Sequence, residues 1–172
     1  MKIKNIFRAA ITITYCLFMY SNAQAANLEE PNECAVNTVR GQSGTIQNPQ
    51  FVMANCTKQY IKKIEPYSKT VSSNILTNGK IQFGTSKYYG WGGTGLVVSA
   101  KNNSNNKLIY ITILITNKNT NKEEYFRMMA TDICDPFSIC EFVTNYPLSD
   151  EMKKDFWVEN GWDFYNATAI GR

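Results

Sequence analysis

The stretch Leu108–Thr116, LIYITILIT, decides the fold class. Ile109, Ile111, Ile113 and Ile115 fall on one face of an extended chain, and Leu108, Tyr110, Thr112, Leu114 and Thr116 on the other. That is the two-residue period of a β-strand. A face made only of isoleucine, with β-branched and aromatic neighbours, predicts a central strand. Upstream, residues 94–101 alternate as well: Leu96, Val98 and Ala100 point one way, Ser99 and Lys101 the other. The polar island NNSNN (102–106) reads as the turn of an antiparallel hairpin between them. Downstream, NKNTN (117–121) is another turn. It leads into residues 123–130, where Phe126, Met128 and Ala130 oppose Tyr125, Arg127 and Met129. A three-strand meander is the expectation.

Shorter strands are expected at 50–54, 59–64, 70–76, 142–146 and 163–170, with Asn78-Gly79 as a turn and strand continuing at 80–83. A short helix is expected at 150–156, with Ser149 as N-cap and Asp150 and Glu151 in its first turn. Met152 and Phe156, four apart, would dock it. Many short strands separated by turn signals point to a sandwich or barrel. Three stretches also resemble the small exported bacterial immunoglobulin-like domains. IEPYSKTV (64–71) is similar to their proline–turn–strand step. VVSAKNNSNNKLIYITILITNKNTNKEEYF (97–126) is similar to their polar-tipped hairpin, and WDFYNATAIG (162–171) to their closing strand. The resemblance implies an all-β, antiparallel immunoglobulin-like β-sandwich with interaction or binding roles. It transfers no site residues.

The beginning of the chain speaks to compartment. Lys2, Lys4 and Arg8 precede an uncharged apolar run, AAITITYCLFMY, about 12 residues long, too short to span a bilayer. SNAQA follows, with Ala23 and Ala25 at the small-residue positions of a cleavage site. Residues 1–25 therefore read as a signal peptide cut between Ala25 and Ala26, and residues 26–172 as one domain. Tyr15 before Cys16 is too large for a lipidation site. Of 172 residues, 18 are basic and 14 acidic; the leader holds three of the basic ones, so the mature charge is near neutral. That removes any nucleic-acid or membrane-surface signal. The expected location is periplasmic or secreted.

Four cysteines remain beyond the leader. An even count in an exported chain reads as two disulfides, and proximity favours Cys34–Cys56 and Cys134–Cys140 over the two other pairings. A zinc site is the weaker alternative, because the chain has no histidine and no CxxC spacing.

The missing histidine also excludes Ser–His–Asp and Cys–His chemistry. Paired carboxylates could serve a glycosidase: Asp132 with Asp135, Asp155 with Asp163, or Glu123 with Glu124, the last pair facing opposite ways on a strand. Asp132 and Asp135 read equally as turn formers. TDICDP lacks a calcium-loop pattern, and GWGGTG lacks the lysine of a P-loop. Asn55, Asn102 and Asn166 open N-glycosylation sequons, expected by chance in a chain this rich in Asn and Thr. Neither a cofactor nor a metal is expected.

SKYYGWGGTG (86–95) is the remaining signal. Tyr88, Tyr89 and Trp91 sit among four glycines, so the segment reads either as a contact loop for a protein or glycan or as rings packed under a sheet edge. Trp157 poses the same question, and Trp162 reads as core. The function expected is an exported, non-enzymatic binding protein, of inhibitor or immunity type among others. A structural subunit of a surface or pilus-like assembly is the alternative, and a carboxylate-dependent hydrolase a third.

Overall fold

The computed structural model describes residues 30–40, 49–84 and 93–171. The expected leader, and Tyr88, Tyr89 and Trp91, lie outside them. Two helices come first, α1 (Pro31–Arg40) and α2 (Pro49–Ile64). Strands β1 (Ser68–Ser72), β2 (Leu76–Gly84), β3 (Gly95–Asn102), β4 (Leu108–Thr116), β5 (Glu123–Cys134) and β6 (Ile139–Thr144) follow. Helix α3 (Asp150–Asp155) and strand β7 (Trp162–Ile170) end the order.

The strands expected at 50–54 and 59–64 are a single helix, α2. Its buried positions are Val52, Cys56, Thr57, Ile61 and Ile64, a spacing of four, one, four and three that follows the helical and not the strand period. Pro49 occupies the first turn, where its missing N–H costs nothing, and Lys62 and Lys63 sit at the negative C-terminal end. Ile61 and Ile64 lie against Ile109 and Met129 on the outside of the sheet. Helix α1 is tied to α2 by the Cys34–Cys56 disulfide, beside Ala35 and Val52. The second disulfide joins Cys134 to Cys140, so both expected pairings are present.

All seven strands belong to one antiparallel sheet in the order β1-β7-β4-β5-β6-β3-β2. Where an immunoglobulin-like sandwich has two sheets, the described strands make one curled sheet. The expected meander is half right: β4 pairs with β5, but β3 pairs with β2 and β6 instead of β4. NNSNN therefore crosses from one side of the curled sheet to the other.

The curl follows from chain length. Strands β1 and β2 are the two edges, yet only Ser73–Ile75 separate them. Four residue steps reach about 14 Å, whereas the edges of a flat seven-stranded sheet would stand roughly 29 Å apart. The edges must approach one another, and contacts across the seam show that they do. A Cβ on Gly79 of β2 would run into the Trp162 ring of β7 and come within 2.7 Å of Phe164 Cζ. Asn78-Gly79 is accordingly a bulge within β2 and not a hairpin turn, with Asn78 at φ 55° and the β2–β3 register shifting there.

Inside the curl lies the main core, including Leu96, Val98, Leu108, Ile111, Ile113, Ile115, Phe126, Met128 and Phe142. Three of the four isoleucines of β4 point into it. Ile109 does not, because the pairing with β5 and β7 shifts between Leu108 and Tyr110. The irregularity turns Ile109 and Tyr110 together outward, under α2.

Candidate functional site

Connectivity sorts the loops into two opposite ends. The end holding Gly84, Thr116, Glu123 and Trp162 carries the 117–122 turn, α3 and the loop into β7. The other end carries the 103–107 loop and the tip of the β5–β6 hairpin. At the first end lies a cleft of about 580 Å³, within the size range of small-ligand sites. Phe83, Phe156, Trp157 and Val158 form its apolar wall. Lys118, Lys153, Glu159 and Asn160 complete its lining.

The sequence builds this cleft locally. Ser149 Oγ accepts from Met152 N–H at 3.2 Å, capping α3 as expected. Lys153 Nζ reaches Asp150 at 2.7 Å, one turn back, and holds that carboxyl below its ordinary range. After the helix the chain is extended: Phe156 bridges to Asn117 and is buried, its ring edge-on to Phe126 at 5.1 Å. Because side chains alternate along an extended chain, burying Phe156 turns Trp157 outward. Trp157 is 47% exposed as a residue, while its backbone N–H donates to Thr116 O at 3.1 Å. The facing turn is fixed too: Asn117 Oδ1 accepts from the N–H groups of Asn119 and Thr120, and Asn119 Nδ2 donates to Asp155 Oδ1 at 2.6 Å. The half-exposed Trp157 thus stands on a backbone held at several points.

Phe83 enters from the end of β2, where Gly84 pairs with Gly95 of β3. Residues 85–92, which carry Tyr88, Tyr89 and Trp91, connect these paired strand ends. Phe83 and Phe156 were not legible as site residues. Trp157 was flagged only as undecided, and Trp162 is partly buried on the core, as expected.

The carboxylates are placed differently. Asp132 and Asp135 share a small cavity of about 110 Å³ at the opposite end, with Glu30, Tyr60 and Lys107. Asp132 accepts from the Ile133 N–H at 2.8 Å, and Asp135 pairs with Lys107 at 3.2 Å. Burial and the nearby Glu30 charge raise the Tyr60 phenol above its usual 10.0. Asp155 accepts from Asn119, Asp163 from the Phe164 N–H, and Glu124 from Asn117, so these three cap local backbone and turns. Among the described residues, no group of three or more His, Cys, Asp or Glu is placed to hold a metal ion. No described helix is long and apolar enough to cross a membrane.

Compared with known proteins, the chain matches no family model, no curated protein and no solved structure.

Proposed function

We propose that the chain is an exported, non-enzymatic binding protein of the bacterial periplasm or cell surface, engaging a protein or glycan partner at the cleft end of the sheet. One observation carries this reading. An aromatic wall with a half-exposed Trp157 is held by backbone hydrogen bonds beside Lys118, Lys153 and Asn160. Indole and phenyl faces suit sugar rings and apolar side chains alike, and rigid aromatics lose little freedom on contact. The two disulfides fit an oxidising compartment, and the leader and the immunoglobulin-like resemblance fit export. Tyr88, Tyr89 and Trp91 join the proposed contact set because they lie within eight residues of Phe83 in the chain.

The test is a titration of tryptophan emission with soluble peptidoglycan fragments and with purified periplasmic proteins. It compares the unmodified chain with Phe83→Ala/Trp157→Ala and with Tyr88→Ala/Tyr89→Ala/Trp91→Ala. Loss of binding with an unchanged melting temperature supports the site. Binding that falls only in step with the folded fraction refutes it.

A further inference from the structure

The lining of the aromatic cleft balances its own charges. Lys153 Nζ is taken up by Asp150 at 2.7 Å. That leaves Lys118 and Glu159, one positive group and one negative, among the lining residues. Neither forms an ion pair with the described residues. The side chains of Lys118, Glu159 and Asn160 are exposed and make no hydrogen bond to the described residues. Together they offer both senses of hydrogen bond: the ammonium donates, the carboxylate accepts and the amide does both. Half-exposed Trp157 stands on the same wall, its backbone tied to Thr116, and Phe83 and Val158 add apolar surface.

These features select the occupant by exclusion. An apolar side chain would press three polar groups against carbon, and polar groups buried without a partner are costly. An ionic ligand would meet one like charge for each opposite one and gain little net attraction. A neutral saccharide matches both halves of the lining. The C–H face of a pyranose lies flat on an indole, and each of its hydroxyls is donor and acceptor at once. The cleft volume of about 580 Å³ is that of a small-ligand site, which suits a short saccharide or the end of a longer glycan.

We infer that the cleft takes a neutral saccharide, one ring stacked on Trp157 and its hydroxyls bonded by Lys118, Glu159 and Asn160. The inference rests on the reading of the cleft as a binding site and names its ligand class.

Isothermal titration calorimetry of the purified protein tests this with four probes: maltotriose, N,N′,N″-triacetylchitotriose, trigalacturonic acid and acetyl-phenylalanine amide. At least one of the two neutral trisaccharides is expected to bind, with an affinity that changes less than about two-fold between about 0.05 and 0.5 M salt. Trp157→Ala is expected to weaken that binding at least about ten-fold, and Trp157→Phe, which keeps a ring, by less. Glu159→Ala/Asn160→Ala alters two exposed side chains, so it is expected to keep the melting temperature and weaken binding about ten-fold. An apolar occupant would instead bind this double variant at least as well as the unmodified chain. Any of three results overturns the inference: neither neutral trisaccharide binds at about 10 mM, Trp157→Ala leaves their binding intact, or the double variant binds them undiminished. If trigalacturonic acid or acetyl-phenylalanine amide binds in their place and Trp157→Ala abolishes it, the saccharide falls and the binding site stands. If the peptidoglycan and protein titrations are also indifferent to Trp157, both fall.

Discussion

Replacing Asn102 by alanine tests how the two loops of the tip end are joined. Asn102 is fully buried at the end of β3. Its Nδ2 donates to Asn106 O at 2.7 Å and to Asp135 O at 3.1 Å. Its Oδ1 accepts from Ser104 N–H at 3.0 Å and from Ser104 Oγ at 2.8 Å. Each bond contributes about 1 kcal/mol net, and a buried group left unpaired costs a further 1–3 kcal/mol. Water can reach Ser104 and Asn106, which are half-buried, so the Oδ1 bonds are partly replaced. The two donations to carbonyl oxygens are replaced less easily, which places the loss at roughly 3 kcal/mol. In a domain of this size that lowers the melting temperature by about 6–12 °C. The assay is urea unfolding followed by far-ultraviolet dichroism, with Asn103→Ala as the control. Asn103 is exposed and its side chain donates to Thr77 Oγ1, so its removal is expected to stay within about 0.5 kcal/mol. If Asn102→Ala lies within 1 kcal/mol of that control, the buried amide is not what joins the loops.

Further outcomes follow from other sites. Thr57 Oγ1 is buried with no hydrogen-bond partner among the described residues, so Thr57→Val is expected to stabilise by about 1 kcal/mol in the same unfolding assay; a loss would reveal a hidden partner. Gly79→Ala drives a methyl into Trp162 and Phe164 across the seam and is expected to cost about 1–3 kcal/mol, partly recovered by Phe164→Leu, and an additive double variant would argue against contact there. Burial raises the phenols of Tyr60, Tyr110 and Tyr146 above 10.0. The folded state therefore holds the proton more tightly: stability is intact below pH 10 and is lost as pH rises through the raised values. Tyr→Phe at these positions is expected to flatten that alkaline decline. With no histidine in the chain, stability measured by urea unfolding is expected to stay level between about pH 6 and 9; a transition in that window would contradict the assignment.

The elements legible in the sequence were those whose signal is local. LIYITILIT matches the bounds of β4 because its alternation and β-branched content are local signals, although the bulge that turns Ile109 outward is not among them. Ser149 capped its helix because N-caps act within one turn. The cysteines paired with their nearest partners in the chain. Helix α2 was missed because Val52, Ile61 and Ile64 also suit short strands, and only packing on Ile109 and Met129 decides between the two.

By itself the sequence determined β4, the predominance of antiparallel strands after residue 68 and the short capped helix, and its cysteine spacing favoured the disulfide pairs that form. Tertiary structure alone decided that β3 pairs with β6 and not with β4. Pairing partners depend on how the whole sheet curls, and the curl comes from joining its two edges through three residues. The same long-range closure decided the two ends of the molecule. It brings Phe83 from β2 to Phe156 and Trp157 more than seventy residues away, and no local pattern of charge or hydrophobicity records that meeting.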